Sequence, residues 1–173
     1  MTSASDERQS DEIHASFCKA LARDFAETVR YVAFDRRNYR THSIEYLRLL
    51  LDAGSEVDAL AKLYCKRRKR RLPKGATIRH WRGIILGETP AFPDIIITVF
   101  QWHPFTPWKS WKGSPPKNPT WWTAYNEVKH DRLKNFRKAN LENVTLALCG
   151  VAAFANVLFH YKFFNSIDQR WFK

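Results

Sequence analysis

LENVTLALCGVAAFANVLFHYKF, residues 141–163, is the stretch on which the fold turns. Leu141, Val144, Leu148, Val151, Ala155 and Leu158 recur at steps of three and four, and neighbouring positions are apolar too, which predicts a helix buried on most of its surface. Gly150 and Asn156 interrupt its most apolar part, 146–159, which falls short of the roughly 20 apolar residues that a membrane span requires. A helix of this kind has to be wrapped by others, so it is read as the centre of a core.

Three more helices are predicted around it. Phe17, Leu21, Phe25 and Val29 fall four apart and make the apolar stripe of a helix over about 13–32. Ser43 opens a second helix with a Ser-x-x-Tyr start rather than a capping box. Ile44, Leu47, Leu51, Gly54, Val57 and Ala61 then alternate in threes and fours until basic residues begin at Lys66, and Gly54 among them marks close packing. A third helix starts at Pro119, a favoured first-turn residue with Asn118 as its cap, and runs to about Phe136.

Composition breaks this pattern in the middle. All eight prolines lie between Pro73 and Pro119, and six of the seven tryptophans between Trp81 and Trp122, so no long helix is expected there. The stretch reads as a Pro/Trp-rich insertion at about 73–118 that carries a small β-hairpin. In it, Asp94–Phe100 pairs with Phe105–Trp111 across a turn near His103-Pro104. Residues 1–12 are polar and mixed in charge. They are expected to form a flexible tail and lack the apolar stretch of a secretory signal, which places the protein in the cytoplasm. The predicted fold class is mainly α, a bundle of four to five helices with a small β-hairpin insertion, folded as one domain over 13–173.

The chain of 173 residues is long enough for one hydrophobic core without metal or disulfides. Cys18, Cys65 and Cys149 are odd in number and lack ligand spacing, so they read as packing residues in a reducing compartment. His14, His42, His80, His103 and His160 show no paired ligand spacing either, and no metal site is expected. Lys74-Gly75 and Gly83 lack the pattern of a phosphate-cradling loop, which argues against NTPase and dehydrogenase chemistry and leaves no cofactor implied.

The net charge of +12 is concentrated. Nine Lys or Arg residues and no acid lie between Lys66 and Arg82, starting with the unbroken run Lys66, Arg67, Arg68, Lys69, Arg70, Arg71. Such a run binds phosphate backbone or serves as a solvated helix end. Trp102, Trp108 and Trp111 either stack bases or fill a small hairpin core.

The third helix carries the chemical motif, Tyr125-Asn126-Glu127-Val128-Lys129-His130. At about 100° per residue, Trp121, Tyr125 and Val128 fall on one arc, while Asn126, His130 and Lys134 form a polar stripe on the far side. Ser43 to Cys65, then Pro119-Thr120-Trp121-Trp122, Tyr125-Asn126, Val128-Lys129-His130-Asp131-Arg132 and an apolar last helix, together resemble the HEPN superfamily of small helical domains. Many members are metal-independent ribonucleases with an Arg-Asn-x-x-x-His signature. Asn126 and His130 match that signature, and Tyr125 stands where the arginine is expected.

The resemblance implies an RNA-cleaving toxin or phage-defence protein that works as a homodimer, with an antitoxin or defence-system protein as a further partner. Cleavage without metal needs a group to move a proton, together with donors or charge facing the phosphoryl oxygens. His130 suits the first task and Asn126 would orient a phosphate or the imidazole. Lys129 and Arg132 would supply the charge that Tyr125 lacks. In a dimeric cleft Glu56 would orient a basic residue. Two other readings stay open: a catalytically silent module of the same kind that binds nucleic acid or a protein, and a helical interaction protein whose charge secures solubility.

Overall fold

The computed structural model describes residues 4–100, 103–159 and 166–167. Six α-helices occur among them: α1 (Ala4–Thr28), α2 (Ile44–Arg67), α3 (Ile78–Glu88), α4 (Thr120–His130), α5 (Arg132–Asn135) and α6 (Leu141–Phe159). Strands β1 (Ile97–Val99), β2 (His103–Phe105) and β3 (Ser166–Ile167) form a small sheet in the order β2-β1-β3, with β1–β2 antiparallel and β1–β3 parallel. The mainly α class with a small hairpin is therefore what the chain adopts.

The apolar stretch 141–159 becomes α6 and lies at the centre, packed most extensively on α2 and flanked by α1 and α4. Its predicted continuation to Phe163 falls outside the described residues. By length and composition α6 passes for a membrane span, but 72% of its apolar window is buried inside the fold. The Asn140 side chain accepts the Asn143 N–H at 3.0 Å and closes the first turn of α6, while the Leu141 N–H donates to the Thr41 carbonyl at 2.9 Å.

Two glycines let α4 approach its neighbours. A Cβ at Gly54 of α2 would lie 2.3 Å from the Tyr125 ring, and one at Gly150 of α6 would lie 2.8 Å from the Trp121 ring. The expected close packing at Gly54 is thus a slot for an aromatic side chain. Ser43 caps α2 by accepting the Tyr46 N–H at 3.0 Å.

Several boundaries differ from the expectation. Residues expected to be a tail before Ile13 are helical from Ala4, and α1 ends at Thr28 rather than near Val32. Its buried stripe is Ala15, Cys18, Leu21, Ala22 and Phe25, which leaves Phe17 40% exposed and Val29 in the following turn. The insertion holds an 11-residue helix, α3, because no proline falls between Pro73 and Pro90; Ile78, Trp81 and Ile85 bury one face, and the Thr77 N–H donates to His80 Nδ1 at 3.0 Å.

The hairpin register is Ile97 with Phe105, Thr98 with Pro104 and Val99 with His103. His103-Pro104 therefore lies in the strand rather than the turn. The proline sits on an edge strand, where a missing N–H is tolerated, and Phe100, at φ 49°, takes the left-handed conformation where the chain reverses. Phe105–Trp111 does not supply a long partner strand. Trp108 and Trp111 instead turn inward to join Trp81, Phe92, Trp121, Trp122 and Phe154 in an aromatic core, with Trp108 and Trp111 centroids 4.4 Å apart and Phe92 and Phe154 4.8 Å apart. Those two tryptophans are packing residues; Trp102 lies outside the described residues.

Candidate functional site

The long third helix expected from Pro119 to Phe136 is two helices. Asp131 leaves helical geometry at φ −146° and ψ 90° and caps α5 by accepting the Lys134 N–H at 3.1 Å. An aspartate that satisfies a new helix start competes with continuation of the old one. Asn135 locks the bend, donating through Nδ2 to the Glu127 and Asp131 carbonyls, both at 3.0 Å. His130 is thereby the last residue of α4 and exposed, and the stripe that linked it to Lys134 is broken, with Arg132 and Lys134 carried on α5.

The motif side chains separate by role. Tyr125 is 4% exposed with its ring over Gly54, so the position where the signature expects arginine is occupied by a packing residue. Lys129 Nζ lies 5.4 Å from the Tyr125 ring centroid and donates to its hydroxyl at 3.3 Å. Asn126 is half-buried and its Nδ2 donates to the Trp122 carbonyl at 2.8 Å, a bond within its own helix that leaves its Oδ1 as an acceptor.

Glu56 does not join them. It is 8% exposed and pairs with His14 Nδ1 of α1 at 2.7 Å. Burial raises its carboxyl above the usual glutamate range, against the lowering effect of the His14 contact. The expectation that Glu56 would orient a basic residue in a common cleft with His130 is corrected: α2 turns Glu56 toward α1, and Gly54 toward α4.

The basic run divides too. Lys66 and Arg67 end α2, and Lys69 adopts the left-handed conformation at φ 55°. The Arg70 N–H reaches the Cys65 carbonyl at 2.9 Å and the Lys69 N–H the Lys66 carbonyl at 3.0 Å, which is the Schellman arrangement of a helix end. Arg67 is ion-paired with Asp11 and donates to the Leu158 carbonyl at 3.1 Å; Arg70 holds Glu88 at 2.6 Å; Arg68 lies over the Tyr64 ring. Lys66, Lys69 and Arg71 are exposed. Three of the six residues are thus engaged in structural contacts, and the rest present charge to solvent.

A cleft of about 570 Å³ lies where the first turn of α3 meets α4. Arg79, Asn118, Thr123, Asn126 and Lys129 line it over a base that includes Trp122 and Tyr125. Asp58 and Glu127 also line it; Asp58 is paired with Lys62, and Glu127 holds Lys138 at 2.6 Å. Of the motif residues, Tyr125, Asn126 and Lys129 reach this cleft, while His130 and Arg132 are not among its lining. Arg79, Asn118 and Thr123 were missed by sequence reading. Arg79 belonged to the basic segment but lay beyond its unbroken run, and Asn118 was read as a helix cap, whereas Pro119 occupies that position.

All three cysteines are free and buried. Burial raises the Cys65 thiol to about 11 and pushes Cys18 and Cys149 higher still, which makes them poor nucleophiles. Compared with family models, with curated proteins and with solved structures, the chain matches none.

Proposed function

We propose that this protein binds RNA through the cleft between α3 and α4, as a HEPN-like module in which catalysis is secondary or silent. The observation that carries the reading is the convergence of Arg79 and Lys129 with the free amide oxygen of Asn126 on one concave lining, in a chain of net charge +12. The exposed Lys66, Lys69 and Arg71 precede the cleft-lining segment 76–79 in sequence and add to the positive charge of the chain. Cations at a groove engage phosphates, and the amides of Asn118 and Asn126 offer donors and acceptors to sugar or base edges. The burial of Tyr125 favours binding over cleavage, because a fixed charge is missing where the superfamily signature places one.

Anisotropy titrations of a labelled single-stranded RNA over a salt series test this. Arg79→Gln with Lys129→Gln should weaken binding and reduce the salt slope by roughly 0.7 for each phosphate that is no longer neutralised. Unchanged affinity and slope would remove the cleft from the interface.

A second reading, metal-independent cleavage by a homodimer, is supported by the exposure of His130 next to Lys129 and by Leu133 at 96% exposure on α5. A dimer joined through this face would cover Leu133 and bring two histidines together. It calls for a dimer in light scattering and for RNA cleavage in excess EDTA that His130→Ala reduces by about 10²-fold or more. In such a system an antitoxin or other defence protein would be the regulator.

A further inference from the structure

The cleft between α3 and α4 contains two cations that no acid claims. The Arg79 side chain has no hydrogen bond or ion pair among the described residues, and Lys129 reaches the neutral Tyr125 hydroxyl at 3.3 Å. Both carboxylates of the lining are already matched, Asp58 by Lys62 and Glu127 by Lys138. Arg79 and Lys129 are therefore its uncompensated charge. The Arg79 charge is also felt one turn along α3. There the Arg82 guanidinium is held below its ordinary range, by burial first and by Arg79 second, and it donates to the Pro116 carbonyl at 3.2 Å rather than to a carboxylate. An anion at Arg79 would relieve that repulsion.

The shape of the cleft is independent of its charge. About 570 Å³ is the size of a pocket for one compact ligand. Grooves that track a nucleic-acid backbone instead take roughly 4–16 nucleotides. Trp122 and Tyr125 at its base are 6% and 4% exposed, so little ring face is left on which a nucleobase would stack. Recognition here falls to the phosphate. The first turn of α3 adds short donors to the side-chain charge: the Thr77 N–H is taken by His80 Nδ1, while the Ile78 and Arg79 N–H groups have no acceptor among the described residues.

We propose that the cleft binds the terminal phosphomonoester of an RNA strand rather than an internal phosphodiester. The inference rests on the RNA-binding reading of the same cleft and narrows it to the end of the strand. A terminal phosphate carries about −1.5 to −2 charge near neutral pH, with a second pKa of about 6 and three acceptor oxygens. A diester carries a single charge. Two unmatched cations in a pocket of this size fit the dianion, with the Arg79 guanidinium and the Lys129 ammonium donating to its oxygens. The free Oδ1 of Asn126 accepts from the adjoining sugar hydroxyl, and the rest of the strand leaves over the open side. A 5′-phosphate and a 3′-phosphate present the same group.

Anisotropy titrations of the full chain compare one short, internally labelled single-stranded RNA with a 5′-phosphate, with a 3′-phosphate, and with hydroxyls at both ends. At about pH 7.5 a phosphorylated strand should bind about 10-fold more tightly than the hydroxyl-ended one, and the tighter of the two assigns the end. At about pH 5.5, below the second pKa of the phosphate, this preference should shrink to about 3-fold or less. No histidine lines the cleft, so the ratio follows the proton on the ligand. Arg79→Gln with Lys129→Gln should bring the strands within about 2-fold of one another and leave the Tm of the free protein unchanged, since both side chains are exposed. Equal affinity of the parent for all three strands overturns the proposal; if the double variant then weakens all three alike, the wider RNA-binding reading stands. A preference that persists in the double variant also overturns it, because the phosphate is then held elsewhere. A double variant that alters the binding of no strand removes the cleft reading as well.

Discussion

Glu56 is the residue whose environment most changes how it should behave. A carboxyl 8% exposed, beside Cys18 and facing His14 at 2.7 Å, is raised by desolvation above its ordinary value of 4.5. Between the unfolded and the raised folded value the native state keeps a proton that the unfolded chain has released. This group's contribution to stability is therefore present at lower pH and lost as pH rises through that window, the reverse of the usual carboxylate. Urea unfolding across pH should show the decline as pH rises above 4.5, and Glu56→Gln should flatten it while leaving stability at pH 7 equal or greater. His14→Ala, which strands the carboxylate, should cost about 1–3 kcal/mol at pH 7. Asp35 acts in the opposite sense and lower, held down to about 2 by the Arg37 side chain and N–H, so its stabilisation fades only as pH falls below 3.8. A slope above 4.5 that survives Glu56→Gln would assign it to another group.

At the scale of elements, α4 is positioned by aromatic rings seated in glycine slots on α2 and α6. Gly54→Ala should destabilise by about 1–3 kcal/mol, because the added methyl would lie 2.3 Å from a Tyr125 ring carbon and the buried ring has to shift. Tyr125→Phe keeps the packing and should stay within roughly 0.5 kcal/mol of the parent, as it removes only a half-exposed contact with Lys129. Tyr125→Arg, which restores the superfamily signature on paper, should instead cost about 3 kcal/mol or more, because it buries a guanidinium against Gly54 and Trp122. Chemical denaturation of the three variants ranks them directly. An arginine variant as stable as the parent would show that this helix face opens readily, and would restore the case for a charged site there.

Over the whole molecule, stability rests on α6 and the aromatic cluster beside it. Trp108 is fully buried and touches Trp81, Phe92, Trp111, Trp121 and Phe154, which come from α3, α4, α6 and the irregular chain between. Trp108→Ala should cost about 3–5 kcal/mol and weaken the proline-rich segment and the helices together, so that they unfold as one transition by both near-UV and far-UV circular dichroism. Loss of near-UV signal first would show that the segment folds as a separate unit.

The local periodicities were enough to place α2, α4 and α6 and to mark Gly54 as a contact point, because a repeat of 3.6 residues and the demand for a buried face are properties of short stretches of chain. The mainly α class with a small hairpin follows from the same signals. Proline and tryptophan density concealed α3, since composition averages over a window longer than the helix within it. The site was legible only in part. Asn126 and Lys129 do reach a cleft, but their neighbour Arg79 lies far away in sequence and arrives by the packing of α3 on the bundle. Whether Glu56 faces His130 or His14, whether Tyr125 presents a hydroxyl or fills a slot, and where Asp131 ends one helix to begin another were decided by tertiary structure. A side chain's partner depends on which helix covers it, and that is set by the mutual fit of whole faces rather than by any spacing along the chain.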